Sequence, residues 1–428
     1  MLDYLRNITD LTPYLNTPPF CAVRVNPLKL TKAEFEKNAP FEISDCEFYE
    51  YGYRIKSEDK TGLHPLHLAG GYYVQEPSAM SAITALDPQK DDIILDACAA
   101  PGSKATAIAP LCKVLVANEY NRARAMTLVS NIERMGIANA LVTNGETDKL
   151  ASAFEGYFDK VLVDSPCSGE GMFRKHPSIL EEWSEDLVKL CAQRSYTVLE
   201  NCAKTLKAGG RLVYSTCTYN LEENEKLIIS FLENHPEFEI ADTGLGFGEK
   251  GLIGLDKARR IFIKNGGEGH FVCALTKLKE ENRSYLKPWK LKYKFDFLEG
   301  IVNGTPQFLS DGDYGIMEFS GIKYALHSEL PDPKGVHILR AGVKLGEMNK
   351  NVFRPDHHLA LSLKTESFCT TVPTDLETAF RYLHGEEIEG AGKGFCGVTY
   401  NGLCMGFGKV SNGRVKNHLP KGLRITSL

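Results

Sequence analysis

DIILDACAAPGSKATAIAPLCKVLVANEY, residues 92–120, decides the fold. An Ile/Leu run passes into a tight loop of small residues, then a helical stretch, then a Val-rich run ending at Glu119. The same rhythm continues with NALVTN (139–144), DKVLVDSP (159–166) and RLVYSTCT (211–218). Short apolar runs alternating with helical stretches between about 90 and 279 predict a mostly parallel sheet with helices on both faces. The clearest helix is expected from near Trp183 to about Leu206. Leu187, Leu190, Cys191, Val198, Leu199 and Cys202 recur there at helical spacing, and Gly209-Gly210 is expected to stop it.

Outward from this core, residues 1–85 mix strand-like runs (CAVRVN, EFYEYGYRI, GGYYVQE) with turn residues and read as a small α+β unit. A link rich in charge and aromatics, 279–295, follows the core. The glycine-rich remainder (GKGFCGVTYNGLCMGFGKV) reads as one or two β-rich modules. The expected division is 1–85, a core of 86–279, a small module over 280–350 and a last unit over 351–428.

With 428 residues, 43% hydrophobic and 25% charged, the chain has the composition of a folded protein and not of a disordered one. It begins without a secretory leader and has no apolar window long enough for a membrane, so a cytoplasmic location is expected. None of the twelve cysteines has C-x-x-C spacing, which argues against zinc and disulfides; no metal is expected, and most of the thiols should be buried. The net charge of −5 hides an asymmetry: residues 281–428 carry 19 Lys+Arg against 16 Asp+Glu. No acid follows Glu389, while Lys409, Arg414 and Lys416 remain in the tail end, as expected of residues that contact RNA phosphates.

In open α/β sheets, ligands bind at the carboxyl ends of the strands, and every suggestive segment here lies at such an end. The loop Cys98, Ala99, Ala100, Pro101, Gly102, Ser103, Lys104 lets a ligand approach the backbone. It lacks both G-x-G-x-x-G and the P-loop spacing, so it suits a ligand without phosphate there, such as the methionine part of S-adenosylmethionine. Glu119 stands where such folds bind a ribose diol, and Glu146 ends the next strand. Asp164 ends a further strand, with Cys167 on the turn after it and Cys217 at the end of its expected neighbour. A lone strand-end cysteine is more often a buried structural thiol. Two cysteines flanking an acid match a different need. Methylating carbon 5 of cytosine takes a thiolate that adds to carbon 6, an acid at the ring-nitrogen edge, and loss of the carbon 5 proton.

DACAAPGSK, DSPCSGEG and STCTYNLEENE resemble the signature blocks of the RNA cytosine-5 methyltransferases of the Nop/Sun family, and RVNP (24–27) and QEPSAM (75–80) resemble its N-terminal blocks. GVHILRAGVKLGEMNKN (335–351) is similar to the C-terminal part of the bacterial RsmF-type branch, which ends in a PUA-like RNA-binding module. The resemblance implies a Rossmann-like core using S-adenosylmethionine, with small-subunit ribosomal RNA as substrate. It implies Cys217 as nucleophile, Cys167 as the thiol that assists product release, and Asp164 as the acid near cofactor and base. Cys98 to Lys104 become the cofactor loop and Glu119 the ribose-binding acid. At 146 relatives usually carry Asp, so Glu146 departs from the pattern. Arg174 and Lys175, after the PCS block, are expected at the RNA. The rival readings are a transfer-RNA methyltransferase of this family, a ribosome-assembly factor with a vestigial cofactor site, and a methyltransferase acting on an exocyclic nitrogen. The last leaves Cys217 without a task.

Overall fold

The computed structural model describes residues 1–428 except 57–60, 279–285, 288, 305, 311–312, 351 and 427–428. Part of the expected link at 279–295 therefore lies outside the described residues. All five apolar runs form strands: β1 (Ile93–Asp96), β2 (Val114–Asn118), β3 (Ala140–Asn144), β4 (Phe158–Asp164) and β5 (Leu206–Thr216). They pair in parallel in the order β3-β2-β1-β4-β5. The order reverses between β1 and β4, so a crevice opens at their carboxyl ends.

The sheet reaches ten strands by antiparallel additions. β6 (Phe238–Ala241), β7 (Glu249–Lys250), β8 (Arg259–Ile261) and β9 (His270–Lys277) extend it beyond β5, and β10 (His337–Ala341) closes the β3 edge. Alternate strand residues face opposite layers. Ile94, Leu115, Val142, Leu162 and Val213 pack with Leu128 and Ile132 of α1 (Arg122–Arg134). Leu95, Val116, Val163 and Leu212 pack with Leu199 and Cys202 of α2 (Glu185–Thr205). Buried aliphatic contacts of this kind contribute about 2–5 kcal/mol per Leu, judged by truncation to Ala.

The helix expected from Trp183 begins at Glu185, because the Ser184 side chain accepts from Leu187 N and caps it. Its end also differs from the expectation. Gly209-Gly210 does not stop α2; extended Leu206 does, at φ −79 and ψ 135. Phe158 pairs with Leu206 and Lys160 with Arg211, so the intervening residues bulge out of the ladder, with Gly209 at φ +75. Leu206 is fully buried, and that burial sets the helix end ahead of the glycines.

A four-stranded antiparallel sheet built from Cys21–Val25, Ser44–Asp45, Gly52–Ile55 and Tyr72–Gln75 precedes the core. A third sheet holds Tyr314–Phe319, Ile322–His327, Val343–Asn349 and Val352–Pro355. The last has five strands, from Thr371–Thr374 to Arg414–Asn417. The stretch 335–351 is shared between two sheets: β10 joins the core and Val343–Asn349 the third sheet. Gly342 makes that switch at φ +55, where a Cβ would lie 2.0 Å from the Ala325 carbonyl oxygen. The cysteines are less uniformly enclosed than expected. Six are buried, five half-buried, Cys167 and Cys217 among them, and Cys369 is exposed.

Candidate active site

β1 ends at Asp96, and the loop after it is held from behind. Ala97 N donates to Leu162 O and Ala99 N to Asn118 O. Arg124 Nη2 donates to Ala100 O at 2.7 Å and Asn131 Nδ2 to Pro101 O at 2.9 Å. Arg24, in the RVNP block, is fully buried and donates to Ser103 O and to Thr106 O and Oγ1. The N-terminal sheet thus braces the loop, a role that sequence reasoning left unassigned. Asn118 ties three strand ends together, donating to Ala97 O and Gly145 O and accepting from Thr143.

A cavity of 870 Å³ lies over these ends, lined by Cys98, Glu119, Glu146 and Pro166 and walled by Arg194 and Val198 of α2. Of the loop residues expected to hold a ligand, Ala99, Ala100, Pro101, Gly102, Ser103 and Lys104 do not line it, and Lys104 reaches Asp164 instead. Glu119 is buried, accepts from Asn121 N at 2.8 Å and stands 3.6 Å from Arg124 Nη1. Glu146 is exposed at the start of the helix Thr147–Ala153 and makes no capping hydrogen bond there.

β4 and β5 place the expected trio together, because Asp164 pairs with Ser215 in the ladder. Cys167 Sγ lies 3.4 Å from Cys217 Sγ. Asp164 accepts from Lys104 Nζ at 2.7 Å on one oxygen and from Ser215 Oγ at 2.8 Å on the other. Burial by itself would raise the Asp164 carboxyl, but Lys104 and these two hydrogen bonds outweigh it and lower its pKa. Lys104 is likewise held charged: burial opposes, Asp164 and then Cys217 favour, and its pKa is raised. The Cys167 thiol is pushed well above its ordinary range, first by its hydrogen bond with Cys217 and then by burial.

Two buried carboxylates lock the cysteine loops to each other. Glu170 accepts from Thr218 Oγ1, Tyr219 N, Asn220 N and Trp183 Nε1. Glu223 accepts from Ser168 N and Oγ and from Asn220 Nδ2. Both acids stand inside the blocks DSPCSGEG and STCTYNLEENE, yet their letters alone do not reveal that each holds the opposite loop. Two further groups were missed. Asp96 is fully buried, with neither carboxylate oxygen hydrogen-bonded to a partner among the described residues, and burial followed by Asp164 raises its pKa to about 8. His270 follows the Phe271–Thr216 register to a place opposite Cys217, and burial lowers its pKa to about 4.

The expectation for Arg174 needs correction. Its side chain is 2% exposed and pairs with fully buried Glu268 at 2.6 Å, while Nη1 donates to Thr17 Oγ1 and Pro18 O. It staples the 170s loop to the N-terminal segment instead of facing an open surface. Lys175 is half-buried, and Lys409, Arg414 and Lys416 are exposed on the last sheet. Among the described residues no helix is long and apolar enough to cross a membrane, and no group of three or more His, Cys, Asp or Glu could hold a metal.

The chain matches the family models for 16S rRNA methyltransferase RsmB/F over residues 83–276, the N-terminal domain of RsmF over 2–77, the RsmF first C-terminal domain over 307–363 and the RsmF PUA domain over 369–425. Ribosomal RNA small subunit methyltransferase F of Vibrio vulnificus is 31% identical over 443 residues, spanning 97% of this chain and 94% of that protein. The protein of the same name from Aeromonas salmonicida is 32% identical, spanning 94% and 90%. Among solved structures, a methyltransferase homolog from Pyrococcus horikoshii aligns with a TM-score of 0.57 at 27% identity, over 65% of this chain and 98% of that one.

Proposed function

Because the chain belongs to the RsmF-type 16S rRNA methyltransferases, we propose that it methylates carbon 5 of a cytosine in small-subunit rRNA, using S-adenosylmethionine and a covalent bond from Cys217. The observation that carries this reading is the sulfur pair, 3.4 Å apart, beside an ionised Asp164 clamped by Lys104. A retired site has no need of two thiols and a buried ion pair in one crevice.

The residues fit the cofactor. The cavity at the strand ends, with Pro166 in its wall next to Cys167 in the chain, has the size of a small-molecule site, and buried Glu119 offers its carboxylate at the strand end where a ribose diol binds. Cys98 to Lys104 form the loop beneath, and Glu146 reaches the rim on a longer arm than the Asp usual in relatives. When bound, S-adenosylmethionine supplies an electrophilic methyl group.

Cys217 adds as thiolate to carbon 6 of the cytosine, and the electrons of the carbon 5–carbon 6 double bond become available at carbon 5. Asp164, held ionised, accepts from the exocyclic amine of the base. After methylation the carbon 5 proton passes to solvent water as base, the electrons of that carbon–hydrogen bond re-form the ring double bond, and the sulfur–carbon 6 bond breaks with its electrons returning to sulfur. Cys167 stays a neutral thiol and donates a hydrogen bond to the departing sulfur. Rate enhancement comes chiefly from holding these groups in place before the base arrives.

The target must leave its stack to enter the crevice. The units expected at 1–85, 280–350 and 351–428 are assigned to holding RNA around the catalytic core at 86–279, and a ribosomal substrate puts the enzyme in the cytoplasm. Cys217→Ala tests the assignment: 5-methylcytosine in rRNA should fall by more than about 10⁴-fold, while equilibrium dialysis still detects S-adenosylmethionine binding. Methylation at the parental rate would remove Cys217 from the mechanism.

A further inference from the structure

A second cavity, of 550 Å³, lies apart from the sulfur pair, between the third sheet and the last. Arg354 enters it from the strand Val352–Pro355, Lys416 from Arg414–Asn417, and Lys421 from the turn that follows. All three are exposed, and none forms an ion pair among the described residues. Lys344 lines the same cavity but is already matched by Asp356 at 2.7 Å. Glu347, the remaining acid of the lining, sits opposite Arg354 in the ladder without an ion pair to it.

The positive charge is concentrated further by the strand register. Lys416 lies directly opposite Lys409, and Arg414 opposite Ser411. Like charges opposed across a ladder cost stability; Glu389 faces Arg414 from the neighbouring strand, but the residue opposite Lys416 is Lys409. His418, on the cavity wall, registers the convergence. Its pKa is lowered by burial and then by Arg354, Lys416 and Lys409, cations that come from two different sheets. Crowding of Lys416 against Lys409 disfavours the fold, whereas a polyanion would neutralise both.

We propose that this groove is a composite phosphate site, in which Arg354 of the third sheet and Lys416 and Lys421 of the last sheet grip neighbouring phosphates of the RNA strand. The inference rests on RNA being the substrate and goes beyond it. It names the cations through which the third and last sheets would share one phosphate contact, and assigns that contact to tethering. Phosphate contacts of this kind position the strand without reading its bases.

The test measures filter binding of a naked 16S rRNA transcript between about 50 and about 200 mM salt. It compares the parent protein, R354A/K416A/K421A, and a control losing three exposed lysines of the core, K90A/K204A/K257A. Loss of three phosphate contacts should flatten the slope of log affinity against log salt by about 2 and weaken binding about tenfold or more. If the triple variant melts lower than the parent, R354A alone carries the test, with a slope change of about 0.7. A slope equal to that of the control overturns the groove. Methylation of the transcript by the parent protein is measured separately, so failure of the substrate reading and failure of the groove appear in different measurements.

Discussion

The crevice at the strand ends and the groove between the last two sheets both gather charge, but they treat it in opposite ways. In the crevice nearly every charge is committed. Lys104 holds Asp164, and Glu170 and Glu223 are saturated with hydrogen bonds from the loops they lock. In the groove, Arg354, Lys416 and Lys421 carry no ion pair among the described residues. Chemistry needs groups fixed before the substrate arrives, because reorganisation during reaction is costly. Tethering a polyanion needs the reverse, cations whose charge the protein has left unneutralised.

A pair of arginines breaks this comparison most sharply. Arg174 is committed and Arg354 is not. Arg174→Ala leaves Glu268 buried without its cation and should destabilise the fold by about 3–5 kcal/mol, read as a lower melting temperature with the salt slope of RNA binding preserved. Arg354→Ala should leave the stability within about 0.5 kcal/mol of the parent and flatten the slope. The opposite pattern would mean that burial does not separate structural from RNA-facing cations in this chain.

Asp96 is the exception within the crevice, buried without an ion pair among the described residues, where the Lys104 charge and the Cys98 backbone only partly offset its burial. Its folded pKa of about 8 lies above the ordinary carboxylate value of about 4. The stability linked to it is therefore full below about pH 4 and is lost as the pH rises through about 8. Asp96→Asn, which cannot ionise, should be more stable than the parent at pH 9 by about 1–3 kcal/mol, with the difference narrowing towards acid. Parallel pH–stability curves would show that Lys104 and the Cys98 backbone offset the burial of Asp96 fully. The smallest effect belongs to Glu146. Exposed at the cavity rim, its truncation to Ala should weaken S-adenosylmethionine binding by about threefold or less, measured by dialysis. A loss greater than tenfold would move Glu146 from the rim into the bound state.

The parallel core was legible because strands buried on both faces must be continuous Val/Ile/Leu runs, as β1 to β5 are. Asp164, Cys167 and Cys217 were legible because strand ends are where such a sheet exposes side chains to a ligand. What stayed hidden was determined by contacts distant in sequence. Arg174 meets Glu268 across 94 residues, and Arg24 reaches Thr106 across 82. Neither partner is marked by local pattern. β10 looked like part of a later module, since nothing in HILRA says that it will pair with β3. The end of α2 was misplaced for a related reason: glycine is a strong stop signal, but burial of Leu206 acted first.

The claim on which the rest depends is a transient bond between Cys217 and the base. In Cys167→Ala the departing sulfur loses its hydrogen-bond donor, so the adduct should outlast turnover. Digestion of that variant after incubation with rRNA and S-adenosylmethionine, followed by mass spectrometry, tests this directly. The account predicts a nucleotide attached to the peptide that carries Cys217. An adduct on a different residue would contradict it, as would methylated RNA released at the parental rate with no adduct at all.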